Sequence, residues 1–132
     1  MTNLLLERAD VHFIVPGRPI PKERARIRKD GRAYTPKRTQ EYEALVGWCC
    51  RQAMGARPPF SGPVTVGICL RYRAKTRPAD VDNCAKAILD GLTGVAWEDD
   101  LQVSGLMVFR SVRPVREDEE EYAEVGIWPR VE

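Results

Sequence analysis

The run Val11-His12-Phe13-Ile14-Val15 is short, rich in β-formers and closed by Pro16-Gly17, which predicts a strand. Beyond it, Asp30-Gly31 favours a tight hairpin turn, with Pro19 and Pro21 leading into it. Residues two apart in an extended strand share a face, so Lys22, Arg24, Arg26 and Arg28 are expected to line one side of a ribbon. Thr35-Pro36 fits a helix start, Thr35 as cap and Pro36 in the first helical position, where its missing N–H does no harm. The helix is expected to reach about Met54, with Tyr42, Leu45, Val46, Cys49 and Ala53 on one face, before Gly55 and Pro58-Pro59 close it. Pro63 to Tyr72 alternates as a strand. A second helix begins near Asp80, with Val81, Ala85, Ile88, Leu89 and Leu92 as its buried stripe, and Gly91 and Gly94 then let the chain turn. Leu101 to Ser111 and Tyr122 to Trp128 read as the last two strands. The order predicts an α+β fold, a mixed sheet packed against two main helices, as a single domain over residues 1–132.

Composition supports that reading. At 132 residues, 43% hydrophobic and 30% charged, the chain suits one globular domain with a single core. No apolar run approaches the roughly 20 residues of a membrane helix, and nothing suggests export, so the expectation is a cytoplasmic protein. Cys49, Cys50, Cys69 and Cys84 form no Cys-x-x-Cys pair and read as reduced thiols in a core. The one histidine, His12, lies in the first apolar run, so any metal must be held by oxygen ligands. Charge changes the picture more. The segment from Gly17 to Arg38 carries +7, whereas Trp97 to Glu132 carries −6. Such polarity suits a chain that grips an anionic partner in one place and gathers carboxylates in another. The acids from Glu117 to Glu121 read as a solvated loop. Tyr34 and Trp48 could stack on bases, although Trp48, beside Leu45, Val46 and Cys49, reads first as packing.

Off the buried stripe of the second helix stand Asp82, Asn83, Lys86 and Asp90, with Asp80 at its mouth. A purely structural explanation exists: Asp80 as an N-cap, and Asp82–Lys86 or Lys86–Asp90 as surface ion pairs. Against it stands a second acidic knot, Trp97-Glu98-Asp99-Asp100, entering an apolar strand. Like charges gathered at a strand mouth repel one another, and a bound cation is a common reason to tolerate them. Mg²⁺ or Mn²⁺ suits aspartates supplied by two elements, together with substrate phosphate. Lys86 can offset charge growing on a phosphoryl group. The spacing does not distinguish one ion from two.

The run Asp80-Val81-Asp82-Asn83-Cys84-Ala85-Lys86-Ala87-Ile88-Leu89-Asp90-Gly91-Leu92, followed by Trp97-Glu98-Asp99-Asp100-Leu101-Gln102-Val103, resembles the RusA family of Holliday-junction resolvases. The resemblance implies a small homodimeric endodeoxyribonuclease that needs Mg²⁺ or Mn²⁺ and nicks four-way or branched DNA in two opposed strands. It places metal ligands on Asp80, Asp82 and Asp100 and the essential lysine on Lys86, with Asp90 supporting Lys86. Strand alternation would send Asp99 and Asp100 to opposite faces, and the choice of Asp100 rests on the resemblance. Cys84, where the family often has Leu, is expected to face away from these residues. The DNA contacts are expected from Lys22, Arg24, Arg26, Arg28, Lys29, Arg32, Lys37 and Arg38. Two other readings carry weight, a DNA-binding module without catalysis and a metal nuclease acting on flaps or single strands. A glycosidase with paired carboxylates is remote, since it has no use for the arginine ribbon.

Overall fold

The computed structural model of the protein describes residues 2–130. The elements run α1 (Leu4–Glu7), β1 (Val11–Pro16), β2 (Arg26–Ile27), β3 (Ala33–Tyr34), α2 (Lys37–Met54), β4 (Val64–Arg71), α3 (Val81–Leu92), β5 (Val103–Arg110) and β6 (Tyr122–Pro129), with a single 3₁₀ turn, Asp100–Gln102, leading into β5. The expected order is present. The one-turn α1, for which the sequence reading had no counterpart, precedes it.

The main sheet has the order β1-β6-β4-β5. β6 lies antiparallel to both β1 and β4, and β4 is parallel to β5. Parallel neighbours need a crossover, and α3 supplies it. Val64, Val66, Ile68 and Leu70, at period two on β4, share one core with Tyr42, Val46 and Cys50 of α2 and Cys84, Ile88 and Leu92 of α3. Burial is therefore concentrated between the sheet and the two long helices, the expected mixed α+β architecture. On the opposite face Leu6 of α1 sits against Gly67. The four cysteines are free and buried, and burial raises each thiol above its ordinary pKa.

Several local expectations shift. Pro36, extended at φ −54° and ψ 144°, occupies the cap itself, so α2 starts one residue later than the Thr35 cap implied and has no side-chain cap. The buried stripe of α2 ends on Cys50 and Met54 rather than on Ala53, which is exposed. Trp48 does not pack in the core: it is 63% exposed, because Gly47 takes the position against α3 and the next residue turns away. Gly91 is not a turn residue. It lies inside α3, where an added Cβ would stand 2.6 Å from the Glu43 carbonyl oxygen, so its role is close helix crossing. Gly94, at φ +93°, makes the turn. Glu121 also leaves the solvated acidic loop. It is buried, accepting from Arg18 Nε at 2.7 Å and from the Arg73 amide at 2.8 Å. His12, on β1, bonds Glu124 through Nε2 at 2.7 Å.

Candidate active site and nucleic-acid interface

α3 forms because its apolar residues recur at helical spacing, and this leaves its polar residues on one outer side. Asp80 occupies the N-cap with extended backbone, yet its carboxylate caps no amide. Instead Asp80 Oδ2 accepts from Asn83 Nδ2 at 3.4 Å, and Asp82 Oδ1 accepts from the Asn83 amide at 3.0 Å. Lys86, one turn on, is exposed, and among the described residues it forms no ion pair. The surface pairs Asp82–Lys86 and Lys86–Asp90 are thus absent among the described residues, and Asp90 pairs instead with Lys22. Cys84 points inward, its Sγ 3.7 Å from the Tyr72 hydroxyl.

The second acidic knot is resolved by a turn rather than by strand alternation. Asp99 is the N-cap of the 3₁₀ turn, Oδ1 accepting from the Leu101 amide at 2.9 Å, and Gln102 completes a capping box by accepting from the Asp99 amide at 3.1 Å. Gln102 also ties this turn to the body, Nε2 donating to the carbonyl oxygens of Phe60 at 2.7 Å and Gly62 at 3.0 Å. Beneath it Trp97 is fully buried, with Nε1 donating to Thr93 Oγ1 at 3.0 Å. Asp99 therefore has a structural task, and the carboxylate of the adjacent, exposed Asp100 has no hydrogen bond or ion pair within the described residues.

Asp82, Lys86 and Asp90 from α3 and Asp100 from the turn line one cleft of about 930 Å³ between α3 and β5, floored by apolar residues such as Ala85, Leu89 and Val108. Asp80 stands at the helix mouth outside this lining. No three His, Cys, Asp or Glu side chains among the described residues converge into a ready-made ion cage. The donor chemistry fits a hard divalent cation nonetheless. Asp82 and Asp100 present oxygen donors to one cleft, neither of them in an ion pair among the described residues, and Mg²⁺ usually takes only one or two carboxylates, completing its shell with water and phosphate.

The basic segment begins beside this cleft. The Lys22 amide donates to the Asn83 carbonyl oxygen at 2.9 Å, and Lys22 Nζ lies 2.6 Å from Glu43 Oε2 and 3.0 Å from Asp90 Oδ2. Burial alone would lower the Lys22 pKa, but the hydrogen bonds to Glu43 and Asp90 and their charge outweigh it and raise it. Lys22 therefore pins the segment across α2 and α3 rather than standing in a ribbon with Arg24, Arg26 and Arg28. The ribbon itself is short, two residues per strand, because it packs mainly on itself and has no apolar layer to extend it. Arg24, Arg26, Arg28, Lys29 and Arg32 are all exposed, and the Arg28 guanidinium lies 5.4 Å from the Tyr34 ring centroid. Lys37 and Arg38 open α2, where cations oppose the helix dipole, and Lys37 lies 3.7 Å from Glu41.

Gln102 and Asn83 stand in the motif without a role assigned from sequence, and Glu43 is absent from it. The role of Gln102 was within reach, since Asp-x-x-Gln at 99–102 is a capping-box spacing. Glu43 carried no local signal, because its partner Lys22 lies 21 residues away.

No curated protein matches the chain closely. The family model for endodeoxyribonuclease RusA matches residues 16–127, from the end of β1 through most of β6, and so includes the hairpin, both long helices and the acidic turn. The chain belongs to the RusA endodeoxyribonuclease family.

Proposed function

We propose that the protein is a Mg²⁺- or Mn²⁺-dependent endodeoxyribonuclease that resolves four-way (Holliday) DNA junctions by paired symmetric nicks, acting as a homodimer. Beyond the family, one observation carries the reading: Asp82, Asp100 and Lys86 share one cleft, free of structural bonds to other side chains, and the basic segment is anchored to the same helix through Lys22 and Asn83. Asp82 and Asp100, with Asp80 at the helix mouth, would hold the ion. When bound, it would supply polarisation of the phosphoryl oxygen and a more acidic water. Lys86 faces the scissile phosphate and offsets the charge that grows on its non-bridging oxygens. Asn83, bonded to both Asp80 and Asp82, holds those two carboxylates in place. The arginines of the hairpin, with Lys37 and Arg38, contact phosphates and set the register of the DNA. A two-fold dimer matches a two-fold junction that has two scissile phosphates.

The test is nicking of a synthetic four-way junction, a flap and a linear duplex at one salt concentration by the wild-type protein and Asp82→Asn. The expected result is Mg²⁺- or Mn²⁺-dependent paired nicks in the junction alone, abolished by Asp82→Asn with DNA binding retained. Equal cleavage by both proteins, or none by either, overturns the mechanism. Preference for the flap reassigns the substrate, and sedimentation as a monomer removes the dimer.

A further inference from the structure

The hairpin carries a side chain that phosphate binding does not account for. Ile27 is 76% exposed in a segment whose other members, from Arg24 to Ala33, are charged or small and equally exposed. In the β2–β3 ladder Arg26 is paired with Tyr34 and Ile27 with Ala33. Directly opposed residues share a face, so Arg26, Arg28 and Tyr34 occupy one face of the ribbon and Ile27 with Ala33 the other. The ribbon is well closed despite its length: the Arg28 amide donates to the Arg32 carbonyl oxygen at 2.8 Å, the Gly31 amide to the Arg28 carbonyl oxygen at 3.0 Å, and the Arg32 amide to Asp30 Oδ1 at 3.0 Å. It is a small, ordered prong with a cationic face, a cationic tip and an apolar face.

We propose that Ile27 is a wedge that packs against base faces exposed at a DNA branch point, and that it gives the protein its preference for branched over linear DNA. This rests on the reading that the chain acts on branched DNA. The charge complementarity of the prong selects the partner: five exposed Lys and Arg, at 24, 26, 28, 29 and 32, surround Ile27, and they suit a polyanion rather than an apolar protein surface. The arginines hold phosphates of any sequence and any shape. An isoleucine gains nothing from a phosphate, and in a linear duplex the base faces are covered by stacking. At a branch point the terminal pairs of the arms can unstack, and apolar side chains inserted at such steps are a recurrent way to hold DNA open. The Arg26–Arg28–Tyr34 face then lies toward the backbone while the Ile27–Ala33 face meets the bases. Lys22 fixes the base of the prong to α3, so the wedge and the acidic cleft keep one spacing.

The test compares wild type, Ile27→Ser and Ile27→Leu in Ca²⁺, which permits binding without requiring cleavage, on a four-way junction with 2-aminopurine beside the branch point and on a linear duplex of the same length. For wild type and Ile27→Leu the fluorescence is expected to rise on binding the junction. For Ile27→Ser the rise should be lost and junction affinity should fall by about tenfold, the size of effect expected from losing one buried aliphatic side chain. Duplex affinity and its salt dependence should stay within twofold. Equal losses on junction and duplex, or no loss on either, overturn the wedge. So does a change in sedimentation of Ile27→Ser without DNA, which would place Ile27 between two copies of the chain. A wild-type protein that never nicks the junction but shows the Ile27-dependent preference would refute the nuclease reading and leave the wedge standing. A nuclease indifferent to Ile27→Ser would do the reverse.

Discussion

Asp99 and Asp100 are adjacent and chemically identical, and the structure ties Asp99 into a cap while leaving the Asp100 carboxylate unbonded among the described residues, so exchanging each in turn separates the fold from the proposed metal site. Asp99→Ala removes the acceptor for the Leu101 amide and leaves Gln102 holding half a capping box. Loss of an N-cap carboxylate costs about 1 kcal/mol. For a chain of 132 residues, with roughly 2 cal/mol/K of unfolding entropy per residue, that lowers Tm by about 4 °C. Asp100→Asn removes no hydrogen bond and relieves repulsion toward the other carboxylates of the cleft, so its stability should stay within about 0.5 kcal/mol of wild type. If Asp100 holds the ion as proposed, cleavage by Asp100→Asn should fall by roughly a hundredfold or more, because a few kcal/mol of phosphoryl stabilisation would depend on that ion. The assay is a thermal melt paired with single-turnover junction cleavage at saturating protein. An Asp100→Asn protein that cuts at the wild-type rate, or an Asp99→Ala protein that melts normally and is inactive, refutes this division of roles.

Three further outcomes follow from the packing. Gly91→Ala should lower stability by about 2 kcal/mol, since the new methyl group meets the Glu43 backbone at 2.6 Å and the helices must part; a denaturant melt reads it. The Glu121 pKa is lowered: burial would raise it, but hydrogen bonds from Thr76, Arg18 and the Arg73 amide, with the charge of Arg18, outweigh that. Its contribution is therefore full above the ordinary value of 4.5 and lost as pH falls through the lower folded value, so Glu121→Gln should be less stable at pH 7 and flatten the acid limb of a stability–pH curve. Lys22→Met leaves Glu43 and Asp90 without their shared cation, and partial exposure of these groups limits the loss to about 1–2 kcal/mol. Gel-shift titration should find its DNA affinity within threefold of wild type and cleavage assays a reduced rate. A smaller salt slope with unchanged cleavage would instead make Lys22 a phosphate contact.

The parts of the fold legible in the sequence are those in which burial imposes a period. Ala85, Ile88 and Leu92 mark α3 because a helix on a sheet must repeat its apolar face every three or four residues, and the polar remainder, Asp82 and Lys86, followed from the same period. β4 was legible by alternation. The hairpin strands were over-read because exposed residues carry no burial signal, and alternating charge alone cannot hold an extended ribbon. Trp48 was misplaced by one helical step, since apolar neighbours in sequence say nothing of the close contact that puts Gly47, and not Trp48, against α3. Glu121 looks like its neighbours Glu117 to Glu120, and only the distant Arg18 and the Arg73 amide distinguish it. Asp99 and Asp100 could be separated by the Asp-x-x-Gln spacing, a local signal that strand alternation obscured.

The charge asymmetry that runs along the chain becomes adjacency in space, and Lys22 is the reason. Of the basic residues between Gly17 and Arg38, it is the one that two acids from different helices, Glu43 and Asp90, draw inward. Its backbone bonds the Asn83 carbonyl, one residue from Asp82. The cations that follow, Arg24 to Arg32, are left without apolar cover and project as a prong whose root is fixed beside the acidic cleft. On the proposed function, a DNA strand held by that prong would pass the carboxylates at a distance set by α3, and not by a flexible tether. Such a chain can separate the forces that bring DNA to it from the groups that act on it while keeping both in register, which is what cutting at a defined distance from a branch point requires.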